Sequence, residues 1–244
     1  MQRFPKLWVL LALSCLCACG GESIDDAHVL EDDTGWYAFD WLQGSPHSPT
    51  FAVLDTESSL GPYAPRAKQL GLGDLVRLHG HACDGLVMAS AALSVALSEL
   101  YPDGVIDRTD TGCISNNSPC FGDVAAYLTG GRIRFGTQKI EPTRGLSFVV
   151  HRFSTNETIE VSLRDGIFPP GLHDLEAKLK SGTFTDEEQR TCQQAQWDYA
   201  RGLLQRPLRE SFETRRLEGY VWVPDTYANT GKRGDIINRD GAGG

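Results

Sequence analysis

Positive charge is scarce in this chain: 23 Lys and Arg stand against 32 Asp and Glu, a formal net charge of −9 over 244 residues. No basic stripe follows the first residues, and this excludes nucleic acid as a partner, because a phosphate backbone is held through clustered Lys and Arg. Long apolar runs are also missing beyond Leu7 to Leu16, so no later segment is expected to cross a bilayer. No Gly-x-Ser-x-Gly elbow occurs, which removes the commonest serine-nucleophile arrangement. A phosphate-cradling glycine loop is absent as well, and Gly71-Leu72-Gly73 alone signals only a turn. The chain has no internal repeat and no low-complexity block. What remains, at 41% apolar and 23% charged residues, is an ordinary globular body long enough for one substantial core.

The first residues are read separately from that body. Met1-Gln2-Arg3-Phe4-Pro5-Lys6 followed by Leu7 to Leu16 has the form of a signal peptide: charge, then an apolar stretch too short for a mature membrane helix. Leu16-Cys17-Ala18-Cys19 before Gly20-Gly21 fits the lipobox of bacterial lipoproteins; Cys15 and Cys17 have less suitable residues upstream. Residues 1–18 are therefore expected to be removed, leaving Cys19 as the lipidated first residue. The protein is then exported and held to a cell-envelope membrane by lipid, facing the periplasm. Residues 19–35 read as an acidic tether, 36–228 as a single domain and 229–244 as a flexible tail.

Seven cysteines occur, but Cys15, Cys17 and Cys19 belong to the leader. The body keeps Cys83, Cys113, Cys120 and Cys192. Exported thiols are open to oxidation, and four cysteines allow about three full pairings. Cys113 and Cys120 flank a polar, turn-like loop that a disulfide would close. The same thiols would serve equally as metal ligands, and spacing leaves both uses open.

The densest chemistry lies in His79-Gly80-His81-Ala82-Cys83-Asp84-Gly85. Imidazole and thiolate bind borderline-soft transition metals best, and the glycines let the backbone turn those groups together. Leu86, Ala89, Leu93, Ala96, Leu97 and Leu100 then recur at helical spacing, with Glu99 the only charge among them. A helix apolar or small on nearly all sides belongs in the middle of a fold. Cys83 and Asp84 sit at its N-terminal end, where free N–H groups and the helix dipole favour a thiolate and where Asp84 is expected to cap. Cys120 stands in the same way before a short helix over Gly122 to Leu128. The expected ligands are His79, His81, Cys83 and Cys120, with zinc the metal that best suits mixed nitrogen and sulfur. Asp123 either faces the same pocket or caps its helix, and Cys113 is an alternative ligand or a supporting group. Two other functions use the same residues: thiol redox chemistry, with Cys83 as nucleophile and Cys120 or Cys113 resolving it, and a non-catalytic assembly module.

Elsewhere the period changes to two. Phe51 to Leu54, Val105-Ile106, Arg132 to Gly136, Leu146 to Val150, Thr158 to Leu163 and Glu218 to Val223 read as strands, and Ala67 to Leu70 as a helical turn. Arg132 and Arg134 would share one solvated strand face. Asp174 to Lys180 and Thr185 to Leu204 read as helices, the second opened by a capping box from Thr185 and Glu188. Trp197, Tyr199 and Phe212 read as core or interface, and His151 and His173 as surface residues. The fold class is α+β: an antiparallel or mixed sheet packed against the buried helix that follows the His-Gly-His-x-Cys motif, with C-terminal helices.

Asp74 to Leu86 resembles the signature of the FmdE-like family, named for formylmethanofuran dehydrogenase: an apolar-flanked His-Gly-His-x-Cys-Pro-Gly that opens a helix. Cys120-Phe121-Gly122-Asp123-Val124-Ala125 and Thr129-Gly130-Gly131-Arg132 are similar to a second family block, and Thr185 to Glu188 with Glu210-Ser211-Phe212 to the family's ending. The resemblance runs over residues 70–220. Asp84 replaces the usual proline, Gly131 stands where the family often has cysteine, and the paired Cys-x-x-Cys zinc ribbon of some members is missing. The resemblance implies an α+β domain, often a homodimer, with a metal such as zinc near the first motif. It implies no reaction for this chain, because an exported lipoprotein has no access to a cytoplasmic one-carbon pathway.

Overall fold

The fold is arranged around one helix, α3, Asp84–Leu100, in the computed structural model, which describes residues 40–61 and 63–225. The signal peptide over 1–18, the tether over 19–35 with Cys19, and the tail over 229–244 lie outside the described residues. Helix α3 buries Leu86, Leu93, Leu97 and Leu100 on one side and Val87, Ala91 and Val95 on others, as its small and apolar composition requires. Ser90 is the polar exception, and its hydroxyl donates to the Leu86 carbonyl at 2.7 Å, so no polar group is stranded.

A five-stranded sheet covers one flank of α3. Its strands are β4 (Thr111–Ser115), β5 (Gln138–Ile140), β6 (Ser147–Arg152), β7 (Glu157–Leu163) and β8 (Phe212–Arg216), in the order β5-β4-β6-β7-β8. β4 and β5 run parallel and the other neighbours antiparallel, so the sheet is mixed. Phe148, Val150, Ile159, Val161 and Phe212 join α3 in the main core, while Ile114, Val149 and Trp222 form a second cluster. Alternate residues of β6 thus serve the two clusters, the period-two signature of a strand. A smaller sheet pairs β1 (Phe51–Leu54) antiparallel with β2 (Lys68–Leu70) and parallel with β3 (Val105–Asp107). The remaining helices are α1 (Asp40–Gly44), α2 (Leu72–His79), α4 (Pro119–Thr129), α5 (Leu172–Lys180), α6 (Asp186–Leu204) and α7 (Leu208–Ser211). This is the expected α+β class. Thr185 and Glu188 form the expected capping box at the start of α6. Among the described residues no helix is long and apolar enough to cross a membrane.

Several local expectations fail for identifiable reasons. Lys68–Leu70 is a strand rather than a helical turn because β1 offers it a free edge, with Leu70 opposite Phe51. Cys113 lies in a wholly buried strand, not a polar loop; it pairs with Gln138 and Val150. Arg132 to Gly136 is no strand: Gly136 takes a left-handed φ of 70° that closes a 3-10 turn over Ile133–Phe135. Arg132 and Arg134 therefore share no strand face. The last strand is Phe212–Arg216, not Glu218 to Val223. Its charges disguise it, since Arg215 and Arg216 reach across to Glu160 and Glu157 of β7. His151 is 1% exposed rather than superficial. Its Nδ1 lies 2.7 Å from the Thr158 hydroxyl, and its ring stacks on Trp222 at 5.6 Å.

Burial holds the His151 imidazole below its ordinary pKa, against the opposing pull of Asp110. The unfolded chain then takes up the proton first as pH falls, so stability present above the ordinary histidine value of about 6.5 is lost below it. Urea unfolding from pH 7.5 to 5 is expected to show a shallower acid slope in His151→Gln than in the unsubstituted protein. Identical slopes would contradict this assignment.

Candidate metal centre

Three elements meet at the site, each by a local device. Helix α2 opens where Asp74 accepts the Gly71 N–H at 2.9 Å, and it ends with Gly80 at a φ of 97°, its N–H bonded to Val76 O at 2.8 Å. Only glycine adopts that left-handed stop freely, and it fixes His79 as the last helical residue. After a short turn Cys83 caps α3 in extended conformation, its Sγ accepting the Leu86 N–H at 3.3 Å. The expected cap, Asp84, is instead the first residue of the helix; sulfur takes the place that Ser or Asp usually holds. Ser118 precedes α4, Pro119 opens it, and Cys120 follows in its first turn.

The two helix starts converge. Cys83 Sγ and Cys120 Sγ are 3.2 Å apart, and one ligand atom each from His79, Cys83 and Cys120 lie within 4.8 Å of one another. Gly85 makes the approach possible. A Cβ there would stand 3.1 Å from Cys120 Sγ and 3.2 Å from its Cβ. The His79 side chain is 4% exposed, and its Nδ1 lies 2.8 Å from Asp123 Oδ2. With Nδ1–H donated to that carboxylate, Nε2 carries the free lone pair. That atom is buried and has no hydrogen-bond partner. A buried, unpartnered acceptor beside two sulfurs suits a cation, and a carboxylate on the far nitrogen is the usual support of a metal-binding imidazole.

The electrostatics agree. The hydrogen bond from Cys83 pulls the Cys120 thiol down to about 6, helped by His79 and Ser118 against burial. The same bond, then burial, pushes the Cys83 thiol up. The pair gives up its first proton readily and holds the second. A divalent cation offsets that repulsion, so loading both thiolates releases protons. Two helix N-termini aimed at the sulfurs act in the same sense.

His79, Cys83 and Cys120 thus come together, with Asp123 holding the imidazole rather than capping α4. His81 is exposed and lies outside the trio; its ring centre is 4.5 Å from that of His79. Cys113 is fully buried in β4, its thiol pushed up to about 12 by burial, and does not belong to the group. Cys83, Cys113, Cys120 and Cys192 are all free, so the expected option of a Cys113–Cys120 disulfide is not taken. A cysteine at position 131 would crowd this fold, since a Cβ there stands 3.0 Å from Thr129 Oγ1 and 3.1 Å from Gln138 Cβ.

Beside the sulfurs opens a cavity of about 1180 Å³, lined by Met88, Phe168, Glu176, Trp197 and Tyr199 among others. Tyr199 is 7% exposed, in keeping with its expected place in the core, but its role as a cavity wall has no local signal in the sequence. The acidic wall is equally hidden, because Asp84 and Glu176 meet only through the packing of α5 and α6 against α3.

One protein family, described as FmdE, Molybdenum formylmethanofuran dehydrogenase operon, matches residues 78–213. A solved structure, a tungsten formylmethanofuran dehydrogenase FmdE-like protein from Syntrophus aciditrophicus, is similar at 16% identity with a TM-score of 0.43. The match covers 67% of this chain and 77% of that one. No curated protein matches the chain.

Two substitutions test how the ligands are held. Gly85→Ala displaces the Cys120 sulfur, and Asp123→Asn weakens the grip on His79. Each is expected to lower cobalt or zinc affinity about 10- to 100-fold in chelator competition, while far-ultraviolet circular dichroism stays unchanged. Affinities within a factor of about two of the unsubstituted protein would remove both residues from the site's support.

Proposed function

The chain belongs to the FmdE family, and from the geometry of its ligands we propose that it is a transition-metal protein whose ion is held by His79 Nε2, Cys83 Sγ and Cys120 Sγ. The observation that carries this reading is the buried His79 Nε2, unpartnered beside two sulfurs 3.2 Å apart while Asp123 holds the other ring nitrogen. Zinc is the proposed metal, because one nitrogen and two sulfurs match its borderline softness and tetrahedral habit. Three protein ligands leave one coordination position for an exchangeable group, and a bound ion would supply Lewis acidity there. The cavity at that point supports a role in handling a metal or a metal-bound small molecule, or in a metal-dependent reaction upon one. On the sequence pattern at Cys19 the protein is proposed to be lipid-anchored and to face the periplasm. A homodimer is proposed from the family resemblance.

The short sulfur–sulfur distance also favours a second reading. In metal-free protein Cys83 and Cys120 would pass two electrons and two protons to a small-molecule disulfide, forming one intramolecular S–S bond and two free thiols.

Elemental analysis of protein purified without a histidine tag or chelator separates the readings. About one transition-metal ion per chain is expected. Cys83→Ser or Cys120→Ser should abolish it, and His81→Ala should leave it in place. Metal-free protein with no uptake by the reduced thiols would overturn the metal reading. A Cys83–Cys120 disulfide in that protein, mapped by mass spectrometry, would establish the second.

A further inference from the structure

We infer that the cavity beside the metal centre takes an organic cation: a small molecule with a metal-binding atom at one end and a protonated amine or amidine seated against Asp84 and Glu176. The inference rests on the proposed metal centre and adds the chemical class of its ligand.

Asp84 is the starting point. It is 7% exposed, the first residue of α3, and adjacent in sequence to Cys83. Its carboxylate is met by the backbone N–H groups of Gly85 and of Asp84 itself, and no cation pairs with it among the described residues. Glu176 of α5 lines the same cavity, and its hydrogen-bond partner is a neutral group, Gln196 Nε2 at 2.8 Å. The two acids feel each other, since Glu176 adds to burial in raising the Asp84 carboxyl to about 6. A buried carboxylate without a counter-ion is costly, and a second acid beside it adds to the cost.

An independent observation comes from α6. Tyr199 lines the cavity, is 7% exposed, and its hydroxyl has no hydrogen-bond partner. That hydroxyl lies close enough to Asp84 to feel its charge. A nine-tenths-buried phenol and a nine-tenths-buried carboxyl, both short of partners on one cavity wall, make a recognition site that lacks its donor.

The wall itself supplies no compensating charge. Arg144 is committed to Glu141 at 2.6 Å and Glu160 at 2.9 Å. Lys180, His81 and His173 are exposed residues at the mouth. A divalent ion on two thiolates and a neutral imidazole has no surplus positive charge. The ligand must bring it. Met88, Phe168 and Trp197 offer apolar surface for the remainder of such a molecule, and about 1180 Å³ exceeds what one small amine needs.

The test uses the full chain, cobalt-loaded, with two probes that share an imidazole head: histamine, with an ammonium tail, and imidazole-4-acetate, with a carboxylate tail. Cobalt d–d bands report occupation of the open position. Histamine is expected to bind at least about tenfold more tightly than imidazole-4-acetate, and Asp84→Asn and Glu176→Gln should each erode that preference. Equal affinities, a preference for the acetate, or no response to histamine would overturn the inference while leaving the metal centre standing. Failure of the unsubstituted chain to bind cobalt through thiolates would instead overturn the metal reading beneath it. Should Asp84→Asn load no cobalt, Glu176→Gln, which lies on another helix, decides the matter.

Discussion

Two helices must begin at nearly the same point for Cys83 and Cys120 to meet, and the rest of the site depends on that convergence. Helix starts leave backbone N–H groups without partners, and sulfur near them is favoured as thiolate. Two such ends facing each other would repel as dipoles unless negative charge lay between them. The sulfurs supply it. Gly85 is the steric condition, since any side chain there meets Cys120. The Asp123–His79 bond is the orientational one, tying the end of α2 to the first turns of α4.

What holds these helix ends in register is the burial of α3. A helix apolar on all sides is fixed by contacts all round, with β6, β7 and β8 on one flank and α4 and α6 on others. Each fully buried Leu or Val adds about 1.5–3 kcal/mol relative to exposure, so the platform is stiff where the site needs it to be. Stiffness also explains how Asp84 can stay buried without a counter-ion: the core that fixes Cys83 fixes its neighbour too. The cost of that placement lies in the cavity, which is where a ligand would offset it.

The sequence is legible where chemistry is local. The His-Gly-His-x-Cys spacing, the helical period from Leu86 to Leu100 and the Thr185 capping box all depend on residues a few positions apart, and each points to the right element. Cys120 is recognisable because it repeats the helix-start arrangement of Cys83. Non-local facts are not legible. His79 and His81 are chemically alike in sequence, and only the left-handed stop at Gly80 and the carboxylate 44 residues onward separate them. The strand at Cys113 looks like a loop because its neighbours are small and polar. Pairing on both sides, with Gln138 and Val150, makes it interior. His151 loses its surface assignment to Trp222, which returns over it from the end of the described chain. In each case the deciding partner is far away in sequence.

X-ray absorption at the metal edge tests the central claim most directly. The zinc-loaded protein is expected to give two sulfur scatterers at about 2.3 Å and two nitrogen or oxygen scatterers at about 2.0 Å, with the outer-shell signature of one imidazole. A shell of nitrogen and oxygen alone, or one with a single sulfur, would mean that Cys83 and Cys120 do not converge on one ion.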